Sequence, residues 1–148
     1  MDPLRGLMGN RGIQDLMQYP DVKLYNAAKL LKPEDRPTAP VRLYEIDSKK
    51  FPALRGREKS IGGTIFMAPP GNEKRSIFVN KRNPVYEKGE LYKLAGIMAH
   101  EEEHLRRQDF EESPAYRKEY EAVRDIRGAD PRYIQALLER THVNRAIR

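Results

Sequence analysis

His100 and His104 stand either side of Glu101, Glu102 and Glu103, and this His-Glu-x-x-His spacing constrains the chain more than any other feature. Residues four apart lie one turn apart on the same face of an α-helix, so both imidazoles can be aimed at one ion. Glu101, next to the first imidazole, is placed to reach a water held in an open metal position. Such a water becomes far more acidic when zinc binds it, with a pKa of about 7, and a neighbouring carboxylate can take its proton and pass it to a leaving amine. The spacing has this meaning only on a helix. The run Leu91 to Leu105 supplies one, because Leu91, Leu94, Ala95, Met98, Ala99 and Leu105 recur at close to helical intervals.

Cysteine is absent from the 148 residues. Disulfides and thiolate metal sites are therefore excluded, and zinc would have to be held by histidine and carboxylate. The length predicts one domain over residues 21–148, behind a loosely ordered segment 1–20 that contains Gly6, Gly9, Gly12 and Pro20 and has room for a short helix around Ile13 to Gln18. Hydrophobic residues make up 39% of the chain and charged residues 34%, which predicts a small core under a heavily solvated surface. The net charge of +6 reads as a basic solvated surface and does not by itself indicate a nucleic-acid partner. No run approaches the roughly 20 apolar residues of a membrane span. The N-terminus shows no charged-then-apolar signal peptide, so a cytoplasmic location is expected.

Element signals run in order along the chain. Asp21 is a candidate cap for a helix through Leu31, with Val22, Tyr25, Ala28 and Leu31 as its apolar stripe. Pro33, Pro37 and Pro40 make an extended connector. Val41 to Asp47 has strand composition, and Ser48 to Ser60 reads as a loop. Ile61–Met67 and Ser76–Asn80 read as two strands of an antiparallel hairpin joined by a Pro- and Gly-rich turn. Lys81 to Lys88 reads as a further loop. The His-Glu-x-x-His helix should end near Gln108. After a break at Asp109–Ser113 a helix runs to about Arg127, ended by Gly128, and Asp130-Pro131 opens a last helix with Ile134, Leu137 and Leu138 on its apolar face. Thr141 to Arg148 is expected to fray. The fold class is α+β.

A zinc site of this kind needs a third protein ligand. His142 lies near the chain end and reads as a surface histidine. The acidic candidates are Glu111, Glu112, Glu119, Glu121 and Asp125, all on the segment that could fold back against the first helix. The order of a hairpin, a His-Glu-x-x-His helix and a helix carrying an acidic residue resembles the zincin fold of gluzincin-type metallopeptidases. In that clan the third ligand is a Glu on the following helix, often within Glu-x-x-Ala. Glu112-Ser113-Pro114-Ala115-Tyr116 is similar to the Glu-x-x-Ala-Tyr form found in small bacterial and phage metallopeptidases. The resemblance spans about residues 61–138 and implies His100, His104 and Glu112 as zinc ligands, with Glu101 activating water. A second likeness stays open: Glu121-Ala122-Val123-Arg124-Asp125 resembles the thermolysin-like pattern in which Glu is the ligand and Asp bonds a zinc-bound histidine. Glu112 is favoured over Glu121.

The chain departs from the pattern in carrying Glu102 and Glu103 between the motif's Glu and second His. Both are expected to face away from the metal, toward solvent or Arg106 and Arg107. Tyr116 is a candidate oxyanion donor or, more simply, a packed aromatic. The expected function is a zinc-dependent hydrolase acting on a peptide or protein substrate, whose hairpin could present an edge to an extended chain. Two other classes remain. One is a binding or regulatory module stabilised by zinc. The other is a nucleic-acid-binding protein using Arg55, Arg57, Lys59, Lys74, Arg75, Lys81 and Arg82, a partner class that no recognised motif supports.

Overall fold

The computed structural model describes residues 21–45, 47–50, 52–60, 62–65 and 76–147. The expected lead-in 1–20, including the helix around Ile13 to Gln18, and the hairpin turn with Lys74 and Arg75 lie outside the described residues.

Helix α1 spans Val22–Leu30 and starts where Asp21 accepts a hydrogen bond from the Leu24 backbone N–H at 2.9 Å. It stops at Leu31, which is extended ahead of the Lys32-Pro33 pair. The buried face is Leu24, Ala27, Ala28 and Leu31, whereas Val22 is 70% exposed. The apolar stripe is thus rotated from the expected Val22, Tyr25, Ala28 and Leu31. Both sets have helical spacing, and the face with two alanines lets α1 lie close against helix α3, Leu91–Arg107.

Strands β1 (Val41–Tyr44), β2 (Gly62–Ile65) and β3 (Ser76–Asn80) form a sheet in the order β1-β3-β2. The expected antiparallel sheet is corrected, because β1 runs parallel to β3 with Val41 opposite Ile77 and Leu43 opposite Val79. Strand β2 pairs antiparallel with β3, Gly63 opposite Phe78 and Thr64 opposite Ile77. The chain between β1 and β3 is long enough for the crossover that a parallel pair needs, and it places β2 on the far side of β3. Central β3 carries fully buried Ile77, Val79 and Asn80. The Asn80 amide is satisfied by donating to the Glu58 carbonyl at 2.7 Å and accepting from Arg82 N–H at 2.9 Å. Strand β1 ends at Tyr44, short of the expected Asp47.

A short helix, α2 (Pro84–Lys88), occupies what reads in the sequence as loop. Its signals are local: Asn83 caps Val85 N–H at 2.8 Å, Pro84 sits in the first turn, and Gly89 takes the left-handed conformation at φ 67°. Helix α3 follows, then α4 (Glu112–Val123) and α5 (Pro131–Ile147). The last helix continues to Ile147, past the point where fraying is expected. Helix α3 is the central element: it packs on α1, on the sheet and on α4, and α4 in turn packs on α5. Leu94 and Met98 of α3 are fully buried with Leu24, Ile77 and Val79. Among the described residues no helix is long and apolar enough to cross a membrane.

Asp21 does two jobs, since its second carboxylate oxygen accepts from the Tyr86 hydroxyl on α2. Asp21→Ala should therefore cost about 1–2 kcal/mol, the upper part of the range for a lost helix cap, and Asp21→Asn should recover most of it. Urea unfolding midpoints check this; an unchanged midpoint for Asp21→Ala would show that the cap and the α1–α2 tie contribute nothing.

Candidate metal centre

Helical spacing places His100 and His104 on one face of α3, and packing by α4 buries them to 7% and 4% exposure. Their Nε2 atoms lie 3.2 Å apart. Helix α3 ends at Gln108, which adopts φ 55° and turns the chain back. Asp109 fixes this turn twice. Its backbone carbonyl accepts from His104 Nδ1 at 3.0 Å, and its Oδ1 accepts from Glu111 N–H at 3.1 Å. Glu112, the first residue of α4, is thereby returned over the two rings, with Oε1 2.7 Å from His104 Nε2 and 3.4 Å from His100 Nε2.

The outer hydrogen bonds decide what the inner atoms present. A carbonyl can only accept, so His104 Nδ1 carries the proton and the neutral ring offers its Nε2 lone pair inward. His100 Nδ1 lies 3.0 Å from Oε1 of Glu119, which is 5% exposed and also accepts from the Tyr133 hydroxyl. Burial and the charge of Glu119 push the Tyr133 pKa up, so that hydroxyl remains a donor. For His100 burial disfavours the charged ring, but the Glu119 hydrogen bond and charge, with the charges of Glu101 and Glu112, outweigh it and raise the pKa. When both rings are neutral, two imidazole lone pairs and a carboxylate oxygen converge, and the carboxylates that raise the His100 pKa favour positive charge here, as a proton or as a metal ion. Tetrahedral ligands at about 2.0–2.1 Å from one ion stand roughly 3.3–3.4 Å apart. The 3.2 and 3.4 Å separations fit this spacing. The 2.7 Å pair is tighter, and the half-exposed Glu112 side chain has freedom to open it. The group His100, His104 and Glu112 could hold a metal ion, and among the described residues it is the one cluster with three such ligand atoms within 4.8 Å.

Glu101 is 9% exposed and lines the same groove, of about 580 Å³, with His100, His104 and Glu112. Glu121 is exposed and does not line it. Asp125 faces Lys32 at 3.8 Å and Arg124 at 3.6 Å. The Glu121–Asp125 alternative is thus not brought to the histidines. Glu102 accepts from Thr38 N–H and Oγ1 at 3.2 and 2.7 Å, and Glu103 pairs with Arg106 at 2.5 Å. Neither lines the groove. Tyr116 sets its ring edge-on to His100, centroids 4.7 Å apart, and its hydroxyl accepts from Arg140 at 2.9 Å. The side chain of His142 lies outside the described residues. Of the basic residues considered for nucleic acid, Lys81 pairs with Glu45 at 3.3 Å and Arg82 with Glu87 at 3.8 Å.

Two residues have roles that the sequence reading does not assign. Glu119 figures only as one more acidic candidate, yet it stands seven residues after Glu112, two turns on along the same face of α4, and that spacing could have paired it with the other histidine. Gly96 lies one turn before His100. A Cβ there would meet Val123 Cγ1 at 2.9 Å, Glu119 Cγ at 3.0 Å and the Tyr133 hydroxyl at 3.0 Å. Only glycine lets α4 and α5 come this close to α3, and the approach carries Glu119 to His100.

Loss of such a carboxylate partner typically weakens metal binding about 10–100-fold. Glu119→Gln should fall in that range with the fold retained, and Gly96→Ala should lower both metal affinity and melting temperature. Competition with a chromophoric chelator reads the affinities; wild-type values in both variants would mean that Glu119 does not position His100. The chain was compared with family models, curated proteins and solved structures, and nothing matches in any of the three.

Proposed function

We propose that the protein is a single-zinc hydrolase that cleaves peptide bonds, with His100, His104 and Glu112 as ligands. The observation that carries this reading is the convergence of His100 Nε2, His104 Nε2 and Glu112 Oε1 beside a buried Glu101 in an open groove. An all-nitrogen and oxygen set suits zinc in a chain without cysteine. A zinc ion bound there would supply a Lewis acid for the scissile carbonyl and an acidified water. Glu101 would serve as the general base beside that ion, able to take a proton from water and return it to the leaving amine. Glu119 and the Asp109 carbonyl hold the two imidazoles in the tautomer that leaves Nε2 free for the metal.

Among the described residues the cluster offers three ligands, and a three-ligand set favours a catalytic over a purely structural metal, since structural sites are closed by a fourth side chain. The peptide preference is supported by the sheet. Among the described residues strand β2 lies at one end of the order β1-β3-β2 and packs against α3, the helix that carries the histidines, so an extended substrate could pair with it alongside that helix. Phe110, 71% exposed and 6.3 Å from the His104 ring, offers that substrate an apolar contact at the groove.

The zinc-loaded protein should cleave a mixture of unstructured peptides, read by mass spectrometry of the products. Glu101→Gln should lower the rate about 10²–10⁴-fold, the usual span for a lost general base, with zinc content unchanged. An inactive wild type with full zinc occupancy, or an active Glu101→Gln, would contradict the peptidase reading and favour a zinc-stabilised binding module.

A further inference from the structure

The groove beside the metal centre has a cation on its wall that the proposed hydrolysis does not use. Arg140, on α5, lines the groove and is exposed. Its guanidinium carbon lies 5.1 Å from the centre of the Tyr116 ring, and Nη1 donates to the Tyr116 hydroxyl at 2.9 Å. Among the described residues the other lysine or arginine at the groove, Lys93, is occupied by Glu90 at 2.7 Å. Some basic residues elsewhere are paired in the same way, Arg106 with Glu103 and Lys118 with Asp35. Arg140 has no carboxylate partner among the described residues. A guanidinium carries five N–H donors in a planar fork, and the Tyr116 hydroxyl engages one nitrogen. The hydrogen bond to Tyr116 and the nearby ring hold the fork in place before any ligand arrives, which reduces the entropy lost on binding.

The location gives this fork a partner. Tyr116 contacts His100 directly, so one aromatic ring separates Arg140 from a metal ligand. That distance corresponds to a few residues of extended chain at about 3.3–3.6 Å each. At the metal end the carboxylates of Glu101 and Glu112 offset the charge of a bound divalent ion, whereas the charge of Arg140 has no such offset, so an anionic substrate group is favoured at the Arg140 end. We propose that Arg140 is a specificity-determining residue that binds a carboxylate of the substrate, an acidic side chain or a terminal carboxylate, close to the scissile bond. This builds on the peptidase reading for the identity of the ligand, and binding of the carboxylate itself needs no turnover.

Fluorescein-labelled alanine-leucine hexapeptides test it. Each carries Glu or Gln one or two residues from the central bond, with a free or amidated C-terminus. Their affinities are measured by anisotropy on the zinc-loaded full chain bearing Glu101→Gln, so that the peptides stay intact. Peptides with the recognised carboxylate should bind about tenfold tighter than their neutral counterparts, as a charge-assisted bidentate contact provides. Adding Arg140→Gln should bring that ratio to within about twofold while leaving neutral peptides unaffected, and Arg140→Lys should restore part of it, since charge returns without the fork. The Glu and free-acid series separate a side-chain from a terminal carboxylate, and a preference in either supports the proposal. No preference, a preference that survives Arg140→Gln, or no measurable binding of any acidic peptide overturns it. Cleavage by the wild type without acidic preference would sink this inference and leave the peptidase reading standing. An Arg140-dependent preference without any cleavage would do the reverse.

Discussion

Two imidazole nitrogens 3.2 Å apart inside one buried helix face set the terms for everything around them. Each ring has its Nδ1 engaged outward, one by the Asp109 carbonyl and one by Glu119. With both rings neutral, each turns a lone pair toward the same point, where Glu112 adds a carboxylate oxygen. Like dipoles held together out of water are unfavourable unless a proton or a metal cation joins them. Any ion that binds the folded chain and not the unfolded one returns that energy as stability, about 4 kcal/mol at a thousandfold excess over its dissociation constant.

The architecture follows from keeping that arrangement rigid. Helix α3 is gripped on one side by α1 and the sheet and on another by α4, with Leu94, Met98 and Ala99 packed at essentially no exposure. The turn at Gln108 and Asp109 closes the distance from His104 to Glu112, so a single short connection supplies both an outer partner and an inner ligand. Helices α4 and α5 then approach across Gly96. Their side chains form a chain from Tyr133 through Glu119 to His100, and, separately, from Arg140 through Tyr116 to the same ring. The first chain orients an imidazole of the candidate centre. The second leads outward along the groove and ends on a charge.

Much of the centre was legible in the residues because it depends on local geometry. The four-residue spacing of His100 and His104 needs only a helix, and the apolar residues Leu94, Ala95, Met98 and Ala99 mark one without reference to the rest of the fold. Glu112 follows within a single turn of chain. The unread parts depend on contacts between distant segments. Whether β1 joins β3 in parallel is decided by a crossover and leaves no trace in the composition of Val41 to Tyr44. Helix α1 had two apolar stripes of equal periodicity, and packing on α3 chose the alanine face. Glu119 became a partner of His100 only through the close passage at Gly96, where a missing side chain is the signal. The short helix after Asn83 was readable, since Asn, Pro and Gly each stand at the position their chemistry favours, but five residues of helix are easily taken for loop.

Anomalous scattering at the zinc edge, from crystals of the zinc-loaded protein, locates the ion. One ion between His100, His104 and Glu112 gives a single strong peak about 2.0–2.2 Å from His100 Nε2, His104 Nε2 and a Glu112 oxygen. A peak beside Glu121 and Asp125, or none near the two histidines at full zinc loading, would show that these three residues are not its ligands.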